Sequence, residues 1–341
     1  MLIYKAILRH RARKWQNAPG AEVPTVCVGN VTVGGTGKTP HVELILRLLG
    51  ARGISAAVLS RGYKRKSKGF QYVEVDSSAE FAGDEPLQIK RKFPSVTVAV
   101  DKDRIEGCKK LVFAGPDRQS PAIIVLDDAF QYNRLHASLN IVLVDCNRPV
   151  WKDLLLPFGR LRDLPERLAD ADIVIITKCP SDLAAQEREA FASRVRSYLP
   201  KSSGKELPVL FTHIAYDEPK AVFPDGKEPA PEGKEIVLFT GIAGDAPLVK
   251  YLNESGRIVE HLRFPDHHAY TSDDIAGIAE AARRHPDAIV ATTEKDAQRI
   301  RDCRDFPADL RSRLLEFPIR AEFLSLEERE FFQRSLWRLI D

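Results

Sequence analysis

The segment VGNVTVGGTGKTP, residues 28–40, constrains the fold more than any other part of the sequence. It follows a short apolar run and precedes a stretch with helical periodicity. Three glycines close to its lysine let the backbone approach a ligand and turn N–H groups toward an anion. Lys38 and Thr39 follow the last of these glycines, and their side chains suit phosphate oxygens and Mg²⁺. The segment therefore predicts a nucleotide-binding loop between a strand and a helix.

The loop departs from the strict P-loop pattern G-x-x-x-x-G-K-[ST], because Thr32 stands where the first glycine is expected. Pro40 falls in the first helical turn, where its missing N–H costs little. GTPases of this class commonly recognise the guanine base through the motif N-K-x-D. Thr177 and Lys178 have no aspartate two places after the lysine, which favours ATP over GTP. The residues expected to contact ATP are Thr32, Val33, Gly34, Gly35, Thr36, Gly37, Lys38 and Thr39.

A P-loop needs an acidic partner, usually at the end of a buried strand, to hold Mg²⁺ or its water. Asp127 and Asp128 follow five apolar residues in AIIVLDD. Adjacent carboxylates repel each other unless a cation is bound there. We expect Thr39 and either Asp127 or Asp128 to bind the metal. Asp145, which ends NIVLVD, is an alternative candidate for the same role.

Apolar, β-branched runs alternate with helical patterns through the first part of the chain, which is typical of strands buried on both faces of a parallel sheet. Helices are predicted over 41–53, ending at Gly50 or Gly53, and over 181–199, with Ser181 as the N-cap. We expect an α/β fold, namely a P-loop NTP-hydrolase-like, doubly wound, mainly parallel sheet with a second, smaller α/β domain. The predicted strands are 25–29, 56–60, 96–100, 122–128, 140–146 and 172–178.

The composition changes to proline, glycine and charged residues after the predicted helix at 181–199, which indicates a linker with short strands, among them 208–214. A second α/β unit follows, with strands at 235–242 and 288–293 and a helix capped near Thr271 or Ser272. The predicted organisation is a basic amphipathic N-terminal helix at 1–20, a P-loop domain at 21–203, the linker at 204–234 and the smaller α/β domain at 235–341.

Charge and cysteine usage exclude several classes of protein. The net charge of +3 over 341 residues gives no argument for nucleic acid as a partner. The five cysteines are scattered without a C-x-x-C pair, which fits a reducing cytosol better than a disulfide framework or a zinc site. No stretch approaches the ~18 apolar residues that span a bilayer, and no signal peptide is expected.

The N-terminal segment MLIYKAILRHRARKWQN carries five cations and no acidic residue. Ile3, Tyr4, Ile7, Leu8 and Trp15 can share one face of a helix that is flanked by these cations. Basic amphipathic helices of this kind lie in membrane interfaces. A first helix packed on the domain, with its basic face in water, fits the same pattern, and the residues alone leave both interpretations open.

Further motifs follow the loop along most of the chain, and GDEP or DHH alone would be a weak signal. Their order and spacing, together with a P-loop that lacks its first glycine, resemble the tetraacyldisaccharide 4′-kinases of lipid A biosynthesis. The motifs are LSRGYKRKSKG (59–69), GDEP (83–86), DKDR (101–104), LDDAFQ, LLPFGRLRD (155–163), FPDHHAYT (264–271) and TEKDA (293–297).

This resemblance implies that residues 21–203 form a P-loop kinase domain. The kinase would transfer the γ-phosphate of ATP, with Mg²⁺, onto the 4′-hydroxyl of tetraacyldisaccharide 1-phosphate. The family is peripheral at the cytoplasmic face of the bacterial inner membrane, which favours membrane contact by the N-terminal helix at 1–20. No nucleic acid partner is implied.

The resemblance also implies roles for single residues. Asp84 in GDEP corresponds to the catalytic acid–base residue, assisted by His267 of the D-H motif, and Lys38 acts on the phosphates. A sugar hydroxyl needs a carboxylate within hydrogen-bond reach as its proton leaves. The neighbouring His268 is an alternative partner, and Asp266 is expected to be structural. The residues implied around the phosphates and the acceptor sugar are Asn30, Arg104 and Arg162, with Arg61 as a further candidate.

The chain departs from the family pattern at three positions. Ala129 and Tyr132 stand where glycine and histidine are common, and Asp163 replaces a glutamate. We expect these changes to alter the geometry of the acceptor site and to leave phosphotransfer intact. Two other functions fit the residues less completely: a soluble P-loop ATPase or kinase with another small acceptor, and a nucleotide-gated membrane switch. A switch would need no general base.

Overall fold

The computed structural model describes residues 7–8, 10, 14–15, 17–115, 118–200, 204–223, 231–266, 268–301, 303 and 306–341. The chain forms two compact units. One comprises Met1–Ala215 together with Arg320–Asp341, and the other comprises Tyr216–Ile319. Each unit has its own sheet with helices, so the predicted α/β class with a second, smaller α/β unit is confirmed.

The strands are β1 (Thr25–Asn30), β2 (Ala56–Ser60), β3 (Gln71–Val73), β4 (Thr97–Val100), β5 (Ile123–Asp127), β6 (Leu139–Asp145), β7 (Ile173–Thr177), β8 (Val209–Tyr216), β9 (Lys220–Ala221), β10 (Glu235–Thr240), β11 (Arg257–Arg263), β12 (Ile289–Thr293), β13 (Leu314–Phe317) and β14 (Ile319–Phe323). The helices are α1 (Lys38–Ala51), α2 (Ala79–Ala82), α3 (Asp84–Lys92), α4 (Arg104–Val112), α5 (Ala185–Arg196), α6 (Ala246–Ser255), α7 (Ser272–Arg284), α8 (Glu294–Arg301), α9 (Ala308–Arg311) and α10 (Leu326–Trp337).

The sheet of the first unit has the strand order β14-β8-β7-β6-β1-β5-β2-β4-β3. Its pairs from β8 to β4 are parallel, whereas β3 is antiparallel to β4 at the edge. Alternate residues of β5 face two different apolar layers: Val125 packs in one cluster and Leu126 in the other. The strands are therefore buried on both faces, as their continuous apolar runs predict.

The register of the sheet brings three polar strand ends to one edge. β1 lies between β5 and β6, with Val28 paired to Asp127 and Asn30 paired to Leu143. Parallel strands place their carboxyl ends together, and ligands of such sheets bind at that edge. The phosphate loop after Asn30 and the carboxylates of Asp127 and Asp145 consequently share it.

The predicted helix boundaries need two corrections. The helix predicted at 41–53 begins earlier, at Lys38, directly after the glycines, and Gly53 adopts a positive φ just beyond its end. The helix predicted at 181–199 spans only Ala185–Arg196, and its N-cap is Ala184. Ser181 is not the cap, because a turn closed by a hydrogen bond from Leu183 N to the Pro180 carbonyl precedes the helix.

The predicted domain boundaries at 204–234 and 235–341 are wrong in two respects. β8 lies in the first unit's sheet parallel to β7, so this part of the expected linker belongs to the sheet. The C-terminal residues Arg320–Asp341 also belong to the first unit. Phe332 and Leu336 of α10 pack in the same apolar cluster as the buried face of α1, and Leu324 N donates to the Phe211 carbonyl of β8.

The second unit contains a five-stranded sheet in the order β11-β10-β12-β13-β9, parallel except for β9. Thr271 caps α7 as predicted, since its side chain accepts from Asp274 N and the Asp274 carboxylate accepts from Thr271 N. Among the described residues, no helix is both long enough and apolar enough to cross a membrane.

Candidate active site

The phosphate loop connects β1 to α1 at the carboxyl edge of the first sheet. Gly34 and Gly37 have φ values of +98° and +88°, in the left-handed region that favours glycine. Gly37 is the N-cap of α1, and Lys38 is the first residue of that helix. Helix N-termini attract anions through unpaired N–H groups and the helix dipole. The loop thus has the geometry of a phosphate site.

Buried side chains beneath the loop fix its conformation. Asn30 is fully buried, and its Nδ2 donates a hydrogen bond of 2.6 Å to Thr36 Oγ1. Thr177 Oγ1, at the end of β7, donates to the Thr36 carbonyl at 2.9 Å. The role of Asn30 in substrate binding stays a prediction, and its burial indicates that it acts by holding the loop.

Lys178 fastens the loop to Asp145. Its Nζ lies 2.9 Å from Asp145 Oδ2 and donates to the Gly35 carbonyl. Lys178 has a φ of +57°, which is uncommon outside glycine and marks a constrained position. Asp145, the alternative metal ligand of the sequence analysis, also accepts from Asn147 N at 2.9 Å. Asp145 is therefore engaged as the counter-ion of the lysine that holds the loop.

Asp128 is surrounded by cations. Its Oδ2 accepts from Arg162 Nη1 at 3.1 Å, and its Oδ1 accepts from Arg162 Nη2. The same Oδ1 lies 3.9 Å from Lys38 Nζ. Arg162 Nη2 also donates to Asn30 Oδ1 at 2.5 Å. Burial alone would raise the pKa of Asp128, but Lys38, Arg162 and Arg104 hold it below the ordinary value. Asp128 therefore stays ionised and positions Lys38 and Arg162 beside each other.

Asp127, one residue earlier, has a different environment. Its Oδ2 accepts from Ser60 Oγ at 2.9 Å, whereas its buried Oδ1 has no hydrogen-bond partner among the described residues. Burial and the nearby charges of Glu85 and Asp128 raise the pKa of Asp127 to about 7. An unpaired buried carboxylate oxygen is costly unless a cation or water occupies the site. This distinguishes the two aspartates, which the sequence alone leaves equivalent.

The donor set at this edge fits Mg²⁺ bound together with a nucleotide. In the described part of the chain, no three side chains of His, Cys, Asp or Glu form a cluster that could hold a metal by themselves. Mg²⁺ typically takes one or two carboxylates and completes its shell with phosphate oxygens and water. The orphan oxygen of Asp127 and the hydroxyl of Thr39, next to Lys38 on α1, match that pattern.

Arg104 is buried at the start of α4 and faces the two aspartates. Its Nη1 donates to the carbonyls of Asp101 at 2.7 Å and Lys102 at 3.3 Å, while its Nε has no partner among the described residues. Burial lowers the pKa of the Arg104 guanidinium, and the charges of Asp127 and Asp128 oppose that shift. Arg104 therefore contributes a desolvated positive charge to the site.

Tyr132, one of the departures from the family pattern, supports Arg104. The Cζ atoms of Arg104 and Arg134 lie 5.8 and 5.9 Å from the centre of its ring, respectively. Its hydroxyl donates to Asp103 Oδ1 at 2.8 Å. Asp163, a second departure, is buried and accepts from Leu164 N at 2.8 Å, so it acts within the fold.

Asp84 is the first residue of α3, in a position where a helix stabilises negative charge. Its cap Gly83 has a φ of +91° and packs against Gly62, which follows the carboxyl end of β2. A Cβ on Gly83 would lie 3.2 Å from the Tyr63 carbonyl, so a side chain there would strain the backbone and require its neighbours to shift by a few tenths of an ångström. The next residue, Glu85, raises the pKa of Asp127 through its charge. The turn that carries Asp84 therefore lies near Asp127 at the carboxyl edge of the sheet.

His267 lies outside the described residues, so its predicted pairing with Asp84 stays a prediction. The neighbouring His268 belongs to the second unit and is engaged there. Its Nε2 lies 2.8 Å from Asp274 Oδ2, and its ring stacks on Phe264 with centroids 5.0 Å apart. This supports a structural role for His268 in the capping of α7.

Sequence reasoning missed His41, which holds the end of the loop. Its Nδ1 donates to the Gly37 carbonyl at 2.7 Å, and its Nε2 accepts from Thr212 Oγ1 of β8 at 3.0 Å. Burial lowers the pKa of His41 to about 4, so the ring is neutral. The only signal in the sequence is its spacing of four residues from Gly37, because its second partner is distant along the chain.

We expect His41 to make stability depend on pH. Its pKa is about 4 when folded and about 6.5 when unfolded. The unfolded chain therefore binds more protons between these values, and the free energy of unfolding rises by about 3 kcal/mol as pH increases across that window. Urea unfolding of the wild type and His41→Gln at several pH values isolates this effect, since other groups are common to both. An unchanged difference between the two proteins from pH 7 to pH 4 would contradict it.

Comparisons with known proteins agree with the motifs. The sequence model of the LpxK family, described as tetraacyldisaccharide-1-P 4′-kinase, matches residues 1–340. The tetraacyldisaccharide 4′-kinase of Parabacteroides distasonis is 42% identical over 318 residues, which cover 91% of this chain and 84% of that protein. The protein of the same name from Porphyromonas gingivalis is 40% identical over 321 residues, covering 92% and 87%.

A solved structure extends this likeness to the fold. The crystal structure of "apo" form LpxK from Aquifex aeolicus in complex with ATP matches with a TM-score of 0.73 and 27% identity, over 100% of this chain and 97% of that one. A match over the whole length, in sequence and in fold, confirms the resemblance carried by the motifs. The chain belongs to the tetraacyldisaccharide 4′-kinase family.

Proposed function

We propose that the protein transfers the γ-phosphate of ATP to the 4′-hydroxyl of tetraacyldisaccharide 1-phosphate. The acceptor follows from membership of the family. The observation that carries the phosphotransfer is the phosphate loop at the sheet edge, where Lys38 stands beside the Asp128–Arg162 pair and its charge acts on Asp127. Phosphoryl transfer depends mainly on positioning and on stabilising charge around the phosphates, and this edge supplies both.

Each group at the edge has a distinct task. The loop amides and Lys38 bind the β- and γ-phosphates, and Arg162 and Arg104 bind around the phosphates and the acceptor sugar, as the family resemblance implies. Thr39 and Asp127 would hold Mg²⁺, and Asp128 anchors the side chains of Lys38 and Arg162. When bound, Mg²⁺ neutralises charge on the phosphate oxygens. Asp84 accepts the proton of the sugar hydroxyl, with His267 as its assistant by the family resemblance.

Proton release on binding tests the assignment of Asp127. Its pKa of about 7 means that the group is largely protonated at pH 6, and metal binding requires the carboxylate. We expect Mg·ATP binding to release a proton at pH 6, with affinity rising about tenfold per pH unit up to pH 7 and levelling above it. Calorimetry in two buffers of different ionisation enthalpy measures this release, and Asp127→Asn should abolish it. Equal release from both proteins would assign the proton to another group.

Attachment to the cytoplasmic face of the inner membrane is proposed for the N-terminal segment 1–20. Residues 1–6, 9, 11–13 and 16 lie outside the described part. Of the described ones, Ile7 is exposed, and Leu8 packs against an apolar cluster of the first unit. Trp15 contacts the cations of Lys14 and Arg134. An exposed apolar side chain among cations suits an interface with anionic lipid.

A phosphotransfer assay tests the function directly. Protein, γ-labelled ATP and Mg²⁺ are incubated with tetraacyldisaccharide 1-phosphate in mixed micelles, and the position of the label is determined by mass spectrometry of the lipid. Label on the 4′-oxygen is the expected result. Label only in free phosphate would leave the nucleotide site standing and reject the acceptor in favour of an ATPase.

A further inference from the structure

Residues 153–161, here called the apolar loop, expose three large hydrophobic side chains within five positions. Leu154, Leu156 and Phe158 are 55%, 40% and 75% exposed. Single exposed hydrophobic residues are normal on a soluble protein, but a contiguous group marks an interaction surface. Leu155 and Leu161 of the same segment are buried in the core of the first unit, so the exposed group is the outer face of an anchored element.

The apolar loop has a fixed conformation. Leu156 N donates to the Leu161 carbonyl and Leu161 N to the Leu154 carbonyl, both at 2.9 Å. Asp153 Oδ1 accepts from Leu154 N at 2.7 Å and from Arg160 N at 3.1 Å. Hydrogen bonds of this number indicate that the hydrophobic side chains are presented outward from an ordered backbone.

The loop is attached to the phosphate site. Val33 N of the phosphate loop donates to the Arg160 carbonyl at 2.8 Å, and Arg162 N donates to the Val31 carbonyl at 2.9 Å. A bridge between Thr32 and Leu161 continues this contact. The exposed side chains consequently stand at the sheet edge that binds the phosphates, a few residues from the arginine that pairs with Asp128.

The charges around the apolar loop favour a partner with negative charge. Lys152 and Arg160 are exposed at its two ends, and Arg148 lies beside the phosphate loop, with its Nη2 3.7 Å from the position of a Cβ on Gly34. The one acid in the loop, Asp153, uses an oxygen for the two backbone N–H groups. Hydrophobic side chains flanked by cations match a bilayer with anionic head groups, where about 1 kcal/mol per cation adds to apolar insertion.

We propose that Leu154, Leu156 and Phe158 insert into an anionic lipid bilayer and bring the phosphate site to the membrane surface. The inference rests on the proposed function, because an acceptor with acyl chains must be reached while it lies in a bilayer. This docking is separate from the contact proposed for the N-terminal segment and would fix how the site faces the lipid.

Vesicle sedimentation of the full chain tests the proposal without ATP or acceptor. On vesicles with anionic phosphatidylglycerol, the double variant that combines Leu154→Ser with Phe158→Ser should bind the vesicles about tenfold more weakly or worse than the wild type. Phe158→Trp should bind them like the wild type. Lys152→Gln/Arg160→Gln should weaken binding to anionic vesicles by roughly an order of magnitude and leave binding to neutral vesicles unchanged. Thermal unfolding of each variant checks the fold.

Phe113 provides a matched control, since it is 70% exposed and follows α4, which leads away from the carboxyl edge of the sheet. Phe113→Ser should partition like the wild type. An equal loss in Phe113→Ser, or no loss in the double serine variant, would overturn the proposal. The double variant could also lose phosphotransfer equally in detergent micelles and in vesicles. That result would mean that the loop binds the acyl chains of the acceptor, and it would overturn the proposal. If the wild type fails to transfer phosphate to the lipid but still sediments with vesicles through Phe158, the proposed kinase function is rejected and the docking proposal stands.

Discussion

Replacing Lys38 with methionine is expected to lower kcat for phosphotransfer about a thousandfold. Methionine keeps most of the aliphatic stem in this largely buried position and removes the charge, which lies 3.9 Å from Asp128 Oδ1 at the start of α1. A charge that stabilises the phosphates in a site of low dielectric acts mainly on the transition state, so KM for ATP should change much less than kcat. Single-turnover transfer of label to the lipid gives the rate.

Lys66→Met is the matched control for this prediction, because Lys66 is exposed in the same unit and pairs with Glu80. It should retain the wild-type rate. Lys38→Arg should recover only part of the activity, since the planar guanidinium is larger and is held by a different geometry of hydrogen bonds. A fall in kcat of less than about tenfold for Lys38→Met would mean that Lys38 does not act on the reacting phosphates.

Asp84→Asn is expected to lower kcat by about 10²–10⁴ and to leave the affinity for ATP nearly unchanged. Asparagine has the same size and still fits the first turn of α3, but it accepts no proton. The loss should fall on transfer to the sugar hydroxyl. The rise of kcat with pH that reports an essential base should disappear in the variant. Initial rates over a range of pH, together with ATP binding by calorimetry, separate these quantities.

Glu106→Gln is the control, since Glu106 is also an acidic residue in the first turn of a helix of the same unit. Its kinetics should match those of the wild type. Glu85→Gln tests the neighbour that acts on the pKa of Asp127. A larger kinetic loss in Glu85→Gln than in Asp84→Asn, with ATP affinity retained, would transfer the role of base to Glu85.

The strands and the phosphate loop could be predicted because their signals are local. Buried parallel strands such as β5 and β6 are continuous apolar runs, and the glycine–lysine segment carries its own geometry. The return of α10 to the first unit could not be predicted, since an amphipathic helix does not encode which sheet it covers. Phe332 and Leu336 pack in the same apolar cluster as α1, which lies almost the full length of the chain away in sequence.

Within the site, the types of residue could be predicted from the sequence, but the separate role of each residue could not. Asp127 and Asp128 are adjacent and chemically identical in the sequence. The structure separates them because Asp128 adopts a φ of +50° directly after β5, where its side chain meets Arg162. The roles of His41 and Lys178 in holding the loop could not be predicted for a similar reason: their partners, Thr212 and Asp145, come from other strands.

The path of the chain through the two units sets the order in which a newly made protein can fold. Tyr216–Ile319 is continuous, so this inserted unit can complete its contacts as soon as it leaves the ribosome. The phosphate-binding unit must wait for the last residues of translation, because β14 covers β8 at the edge of its sheet. A chain that stalls before β14 leaves β8 as an open edge, a template for pairing with other chains. Premature termination before Ile319, which removes both β14 and α10, should therefore yield aggregates and not a kinase that merely lacks its C-terminal elements.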